Sequence, residues 1–267
     1  MENISEAFAV AWNENQGTYS ETIAKRLIKF LKIQGLKANS VLDICCGSAN
    51  FLEKLKEAGL SCSGTEILDS YIAYDKRKFP DMNFYKTEHI LDFDNLGKYD
   101  IISCNHDVIN MLPTLDDWSK FFKLSYSHLN NGGILVFDYY SKRKLQDWNE
   151  VVFEENQKLD YIKHVFCDGI SKTTIENVYF INLDNESEQD SLNNYVEKQY
   201  GFNDKHNKYK KTENISVEYY FDNSKILEEL KKANYRYLIT TDANFTPISS
   251  IEDVNRVHVI AIKRENV

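Results

Sequence analysis

The residues best placed to do chemistry lie at 41–51, where Val41 and Leu42 lead to Asp43, then Ile44, Cys45, Cys46, Gly47, Ser48, Ala49, Asn50 and Phe51. An apolar run ends in an acid, tightens through small residues and opens a helix. A second apolar stretch, 60–65, closes on Glu66, about 20 residues further on, the spacing at which doubly wound folds place a ribose-binding carboxylate. Together they make a nucleotide-cofactor pattern: amides at the tight turn face an anionic group, and the later acid accepts from ribose hydroxyls. Plainer roles stay open, Asp43 as a helix cap and Glu66 as a charge at a helix N-terminus.

A second group, Asn105, His106 and Asp107, follows the apolar run 99–104. An imidazole beside a carboxylate at a strand end suits proton acceptance or substrate contact, and His106 fits a hydrogen-bonded structural role equally well. Tyr19, Tyr139 and Tyr140 offer aromatic wall for a pocket, with faces that attract a cation. The cysteines, Cys45, Cys46, Cys62, Cys104 and Cys167, contain no C-x-x-C pair. Small core thiols are the expectation for them, and no metal.

Alternating elements must position these groups. Residues 1–37 read as two helices, a lid over the cofactor, with Gly35 as the stop. Then come strand 40–45, helix 49–58, strand 60–66, helix 68–78, strand 82–87, strand 99–104, helix 114–129, a turn at 130–133 and strand 134–137. Strands separated by helices predict parallel pairing with right-handed crossovers. From about 150 to 221 aromatic and β-branched residues alternate, with Asp168 and Gly169 as a hairpin turn, so an inserted antiparallel sheet is expected. Residues 184–190 read as an acidic loop and 205–211 as a basic one. Helix 223–233 and strands near 235–241 and 256–263 return to the core. The expected organisation is a helical lid (1–37), a cofactor-binding core (38–149), a substrate-covering subdomain (150–222) and the rest of the core (223–267).

The chain has 267 residues, 32 basic against 41 acidic, for a net charge of −9. That balance argues against a phosphate-tracking surface and hence against nucleic acid as partner. No apolar run approaches the ~18–20 residues that span a bilayer, so no membrane partner is expected. The polar, acidic start at 1–6 lacks the layout of a secretory signal, and a cytoplasmic location is expected.

On these residues the chain resembles the class I S-adenosylmethionine-dependent methyltransferases over about 38–140 and 223–267, and most of all small-molecule enzymes whose late antiparallel insertion covers the substrate. The family's D-x-G-x-G-x-G motif stands here as Asp43, Cys45, Gly47 and Ala49 at the marked positions, with two glycines replaced. Any positive φ at Cys45 or Ala49 would therefore carry a cost. The resemblance implies a doubly wound, Rossmann-like α/β fold with a seven-stranded, mostly parallel sheet. It further implies S-adenosyl-L-methionine as cofactor, held by Asp43, Cys45, Gly47, Ser48 and Ala49 at the amino-acid end and by Glu66 and Ile67 at the ribose. His89 and Ile90 would flank the adenine, unless Glu88 takes that place, and Asn105 would lie near the methyl. His106 and Asp107 are the implied catalytic residues, and Tyr19, Tyr139 and Tyr140 the implied contacts to a small-molecule acceptor.

The function expected is methyl transfer to a nitrogen or oxygen of that acceptor by in-line displacement. The alternative is a protein that binds S-adenosylmethionine or S-adenosylhomocysteine without turnover. A nicotinamide oxidoreductase fits poorly, since the loop lacks G-x-G-x-x-G. So does an exocyclic-amine DNA methylase, since Asn105 to Val108 lack its N/D-P-P-Y/F-like motif.

Overall fold

The computed structural model describes residues 6–155, 159–182, 209–242, 244–248, 250–251 and 254–263. Five strands, β1 (Ser40–Asp43), β2 (Ser61–Glu66), β3 (Asn83–Lys86), β4 (Tyr99–Cys104) and β5 (Leu129–Tyr140), run parallel. With β10 (Tyr235–Thr241) and β11 (Arg256–Lys263) they form one sheet in the order β10-β11-β5-β4-β1-β2-β3, in which β11 alone runs against its neighbours. The expected seven-stranded, mostly parallel sheet is present. Strand order reverses between β1 and β4, and in open α/β sheets that reversal opens a crevice at the carboxyl ends of the two strands. Asp43 ends β1 and Asn105 follows β4, so both stand at this crevice.

Alternation along the strands feeds two apolar layers. Leu42, Ile102, Leu135 and Phe137 pack with Trp118, Phe121 and Phe122 of α4 (Leu115–His128) and with Ile226 and Leu230 of α6 (Asn223–Lys232). Val41, Ile101, Val136 and Ile260 pack on the other face with α1 (Glu6–Gln34) and α2 (Asn50–Glu57). Among the described residues the remaining α-helices are α3 (Asp69–Lys78) and the short α5 (Lys144–Asp147), with a 3-10 turn at Val108–Met111. No helix among the described residues is long and apolar enough to cross a membrane.

Two expectations need correction. The N-terminal segment is one helix of 29 residues instead of two. Ile23, Ala24, Leu27 and Leu31 bury a continuous stripe against the core, and burial of that kind carries a helix through an unfavourable glycine. The glycine has a use: a Cβ at Gly17 would stand 3.2 Å from Asn50 Nδ2, so its absence lets α1 cross close over the start of α2. The turn expected at 130–133 lies inside β5. There the register against β4 slips between the pairs Tyr99 with Leu129 and Ile101 with Ile134, so the extra residues are absorbed as a bulge, pinned by Asn130 Nδ2 donating to Asp100 Oδ1 at 2.7 Å.

Between β5 and α6 the chain builds a separate antiparallel sheet, β6 (Glu150–Glu154), β7 (Leu159–Cys167), β8 (Lys172–Asn182) and β9 (Tyr209–Tyr219), paired in sequence order. The β7–β8 hairpin turns at Asp168 and Gly169, as expected. Asp168 Oδ1 accepts the amides of Ile170, Ser171 and Lys172, and Gly169 takes a φ of 71°. The acidic loop at 184–190 and residues 205–208 of the basic run lie outside the described residues; 209–211 belong to β9.

Candidate cofactor cleft and acceptor cluster

At the cleft the loop after β1 folds back on the end of β2. Cys45 N donates to Thr65 Oγ1 at 3.1 Å and Cys46 N to Thr65 O at 2.9 Å. The fit needs glycine at 64, where a Cβ would sit 2.5 Å from Cys46 Sγ. Cys45, Gly47 and Ala49 have φ of 55°, 56° and 55°. All three are thus left-handed, at the alternate positions where the D-x-G-x-G-x-G pattern places glycine. Cys45 and Ala49 hold this conformation at a cost of roughly 1–2 kcal/mol each, offset by the hydrogen bonds around them.

Glu66 is the hub of those bonds. Gly47 N donates to Oε2 at 2.9 Å, while Ile67 N and Leu68 N donate to Oε1 at 2.7 and 2.9 Å. With two amides, Oε1 has no lone pair to spare, and Oε2 has one. Glu66 can therefore take one further donor, not the two that a bidentate ribose grip requires. Burial raises its pKa, and the three amides oppose that rise.

Asp43 is buried, its Oδ1 accepting from Ser103 Oγ at 2.6 Å and from Asn105 Nδ2 at 3.5 Å. Burial dominates and lifts its carboxyl to about 7. Beside it, Asn105 Oδ1 is buried without a partner among the described residues. A desolvated carboxyl next to an unpaired carbonyl oxygen is a place for a donor-rich cationic group such as an ammonium. Ser48 Oγ accepts from Asn50 Nδ2 at 3.2 Å. Further along, Ile90 is buried in the apolar cluster on which Cys45 and Ile67 also pack, which makes one apolar wall. His89 is exposed and accepts Leu91 N at its Nδ1, and Glu88 is exposed beside Lys86.

The crevice continues past β4 into a polar cluster drawn from several elements. His106 and Asp107 are both left-handed, at φ 60° and 53°. That strain is maintained by their partners. His106 Nε2 lies 2.6 Å from Ser20 Oγ of α1, and its ring meets Tyr19 edge-on at 4.7 Å. Burial depresses its pKa to about 4, so the imidazole is neutral at neutral pH. Asp107 is ion-paired to Arg256, whose other arm holds Asp138 Oδ2 at 2.5 Å. The same guanidinium donates to Tyr19 Oη at 3.2 Å and lies 4.1 Å from the Tyr140 ring centroid, a cation–π contact. Register explains the convergence: Arg256 pairs with Tyr140 and His258 with Asp138 across β11 and β5, so all four share one face of the sheet. Tyr139, one residue off that register, points to the opposite face, where it is fully buried against Trp118 and donates to Asn223 Oδ1 at 2.9 Å.

The structure thus brings Asp43, Cys45, Gly47, Ala49, Glu66, Ile67 and Asn105 around the cleft, and Tyr19, His106, Asp107 and Tyr140 around the cluster beside it. It turns Tyr139 away, and leaves His89 exposed. Sequence reasoning missed Ser20, Asp138, Arg256 and His258. Asp138 had a signal, an acid ending the apolar run 134–137 just as Asp43 ends its own. Arg256 and His258 alternate with apolar residues along β11, which marks a polar face.

Residues 15–172 match the methyltransferase domain family. A curated relative, dTDP-4-amino-2,3,4,6-tetradeoxy-D-glucose N,N-dimethyltransferase of Saccharopolyspora spinosa, is 25% identical over 43% of this chain and 46% of its own length. The curated relatives it matches are covered over 46% to 66% of their lengths. Among solved structures, an S-adenosylmethionine-dependent methyltransferase from Clostridium acetobutylicum superposes with a TM-score of 0.75 at 18% identity, covering 95% of this chain and 99% of that one. The sugar N-methyltransferase KedS8 from a Streptoalloteichus species does so at 0.73 and 17% identity, covering 96% and 92%. The chain belongs to the methyltransferase domain family and has the class I methyltransferase fold.

Proposed function

We propose that this chain transfers a methyl group from S-adenosylmethionine to the amino nitrogen of a small molecule, with amino sugars as the first class to try. Asp43 and Asn105 would receive the ammonium of the cofactor's amino-acid part, the amides of the left-handed loop its carboxylate, and Glu66 Oε2 one ribose hydroxyl. Ile67 and Ile90 would line the adenine, with His89 at the rim. When bound, S-adenosylmethionine supplies an electrophilic methyl on a sulfonium; the amine lone pair forms the N–C bond as the C–S pair returns to sulfur, so the protein's part is to align the amine and keep it free of its proton.

The observation that carries the amine reading is the charge of the acceptor cluster. Asp107 and Asp138 share a single arginine in a buried setting, which leaves an anionic, weakly solvated site suited to a cation. Asp107, with its carboxyl lifted by burial to about 6, is the proton acceptor in this reading. His106, depressed and engaged with Ser20, is the weaker base and serves to orient. Tyr19 and Tyr140 form the walls, and α1 with the inserted sheet forms the cover. The relatives add support, since two of those compared are named as methylating sugar nitrogens.

Methyl-labelled S-adenosylmethionine, offered with amino sugars and with matched sugars bearing hydroxyl in place of amine, tests this. Label is expected on nitrogen. Transfer to hydroxyls alone would reassign the acceptor, and tight cofactor binding with no transfer to any acceptor would make the chain a binder without turnover.

A further inference from the structure

The mechanism above does not use Glu218, a carboxyl on β9 of the inserted sheet that is 3% exposed. Its side chain hydrogen-bonds that of Asp107, at the carboxyl end of the main sheet, and its Oε2 accepts from Tyr220 Oη at 2.8 Å. Two carboxyls in hydrogen-bond contact cannot both be ionised cheaply; one proton lies between them. The groups that face the pair are Asp138, Arg256, Tyr19, Tyr140, Tyr220 and Lys144. Arg256 is tied to Asp107 and Asp138, so its charge is spent on them.

We propose that Glu218 is a positioning residue for the transfer reaction: it keeps the shared proton on its own carboxyl and through it donates a hydrogen bond to Asp107, so that Asp107 stays ionised toward the acceptor. The inserted sheet thereby contributes to the chemistry as well as covering it. Burial and the neighbouring Asp107 raise the Glu218 carboxyl to about 9, while its hydrogen bond to Asp107 holds that residue lower than burial alone would. With Glu218 neutral, Asp107, Asp138 and Arg256 leave one negative charge unbalanced, enough for one ammonium. The role of this charge in catalysis rests on the amine reading; the sharing of the proton does not.

The test is a carbon-13 carboxyl NMR titration of the whole chain, wild type beside Glu218→Gln and Glu218→Leu, with the pH profile of amino-sugar methylation as a second readout. In wild type the Glu218 carbon is expected to titrate above pH 7. In Glu218→Gln, whose amide still donates, the Asp107 midpoint should stay within about half a unit of wild type. In Glu218→Leu it should rise by at least about one unit, and the acid limb of the profile should move with it, costing about fivefold in rate against wild type one unit below the new midpoint. A merely structural Glu218 would lower the rate equally at every pH. The proposal fails if Glu218 titrates near its usual 4.5, or if Glu218→Gln moves Asp107 as far as Glu218→Leu does. The wild-type and glutamine arms decide the matter even if the leucine variant does not fold. If no amine is methylated, the functional reading falls while the titration still reports on the pair.

Discussion

The two ends of the crevice are built in opposite ways. The cofactor end is local: residues 43–49 and 64–68 supply its acids, amides and turn, and most of its bonds run between two adjacent strands. The acceptor end gathers Ser20 and Tyr19 from α1, Asp107 from the end of β4, Asp138 from β5, Glu218 from the inserted sheet and Arg256 from β11. One end relies on backbone donors fixed by loop geometry, the other on side-chain charges fixed by partners far away in sequence. The lesson is that the first can stay constant while the second varies, and that each should break separately.

Arg256→Met is the largest expected break. It leaves Asp107 and Asp138 buried without their cation, which costs about 3–5 kcal/mol of stability and should abolish transfer. S-adenosylmethionine binding, measured by calorimetry on the folded protein, should change by less than about threefold. A collapse of cofactor affinity together with transfer would show the two ends to be one unit.

Glu66→Ala comes next. It strips the acceptor from three amides at once, and urea unfolding should register a loss of about 2–3 kcal/mol. Affinity for S-adenosylmethionine should drop by at least tenfold. An affinity equal to wild type would remove the ribose contact and leave Glu66 as a loop anchor alone.

Legibility follows the same division. The strand–turn–helix at 40–58 and the place of Glu66 at the end of the next strand could be read because the pattern that specifies them is contiguous: an apolar run, an acid, small residues, then a helical period. The left-handed requirement at Cys45 and Ala49 was visible as departures from glycine. Arg256 could not be placed, because its role depends on the register of β11 against β5, which no local signal sets. Tyr139 and Tyr140 looked alike in sequence, and only the pleat separates a core tyrosine from one that stacks on a guanidinium. The single helix at 6–34 reads as two because local propensity ignores the apolar stripe that carries the chain through Gly17.

A smaller effect is expected in pH. The folded Asp43 carboxyl sits at about 7 against its ordinary 3.8. Below about 7 the free protein therefore holds a proton there that the cofactor's ammonium must displace. Affinity should rise about tenfold per unit as pH climbs toward 7 and then level off, and Asp43→Asn should flatten that slope. Stability runs the other way. Between about 4 and 7 the unfolded chain has shed the proton that the folded one retains, so this residue makes the free protein less stable as pH rises through that window. Both trends can be followed in one set of calorimetric and thermal-melt titrations.

The finest test lies inside the cofactor loop. Gly47→Ala adds a Cβ with no atom within 4 Å, so only the φ of 56° opposes it. The cost should be about 1 kcal/mol, the left-handed penalty less what the stiffer unfolded chain returns. Ala49→Gly relieves the same strain but gives up a fully buried methyl worth about 0.8 kcal/mol and loosens the unfolded chain. Those contributions oppose each other, so unfolding should change by less than about 0.5 kcal/mol. Equal losses in both variants would mean that side-chain packing, and not backbone handedness, governs this turn, and the contrast between a backbone-built and a side-chain-built end would lose its ground.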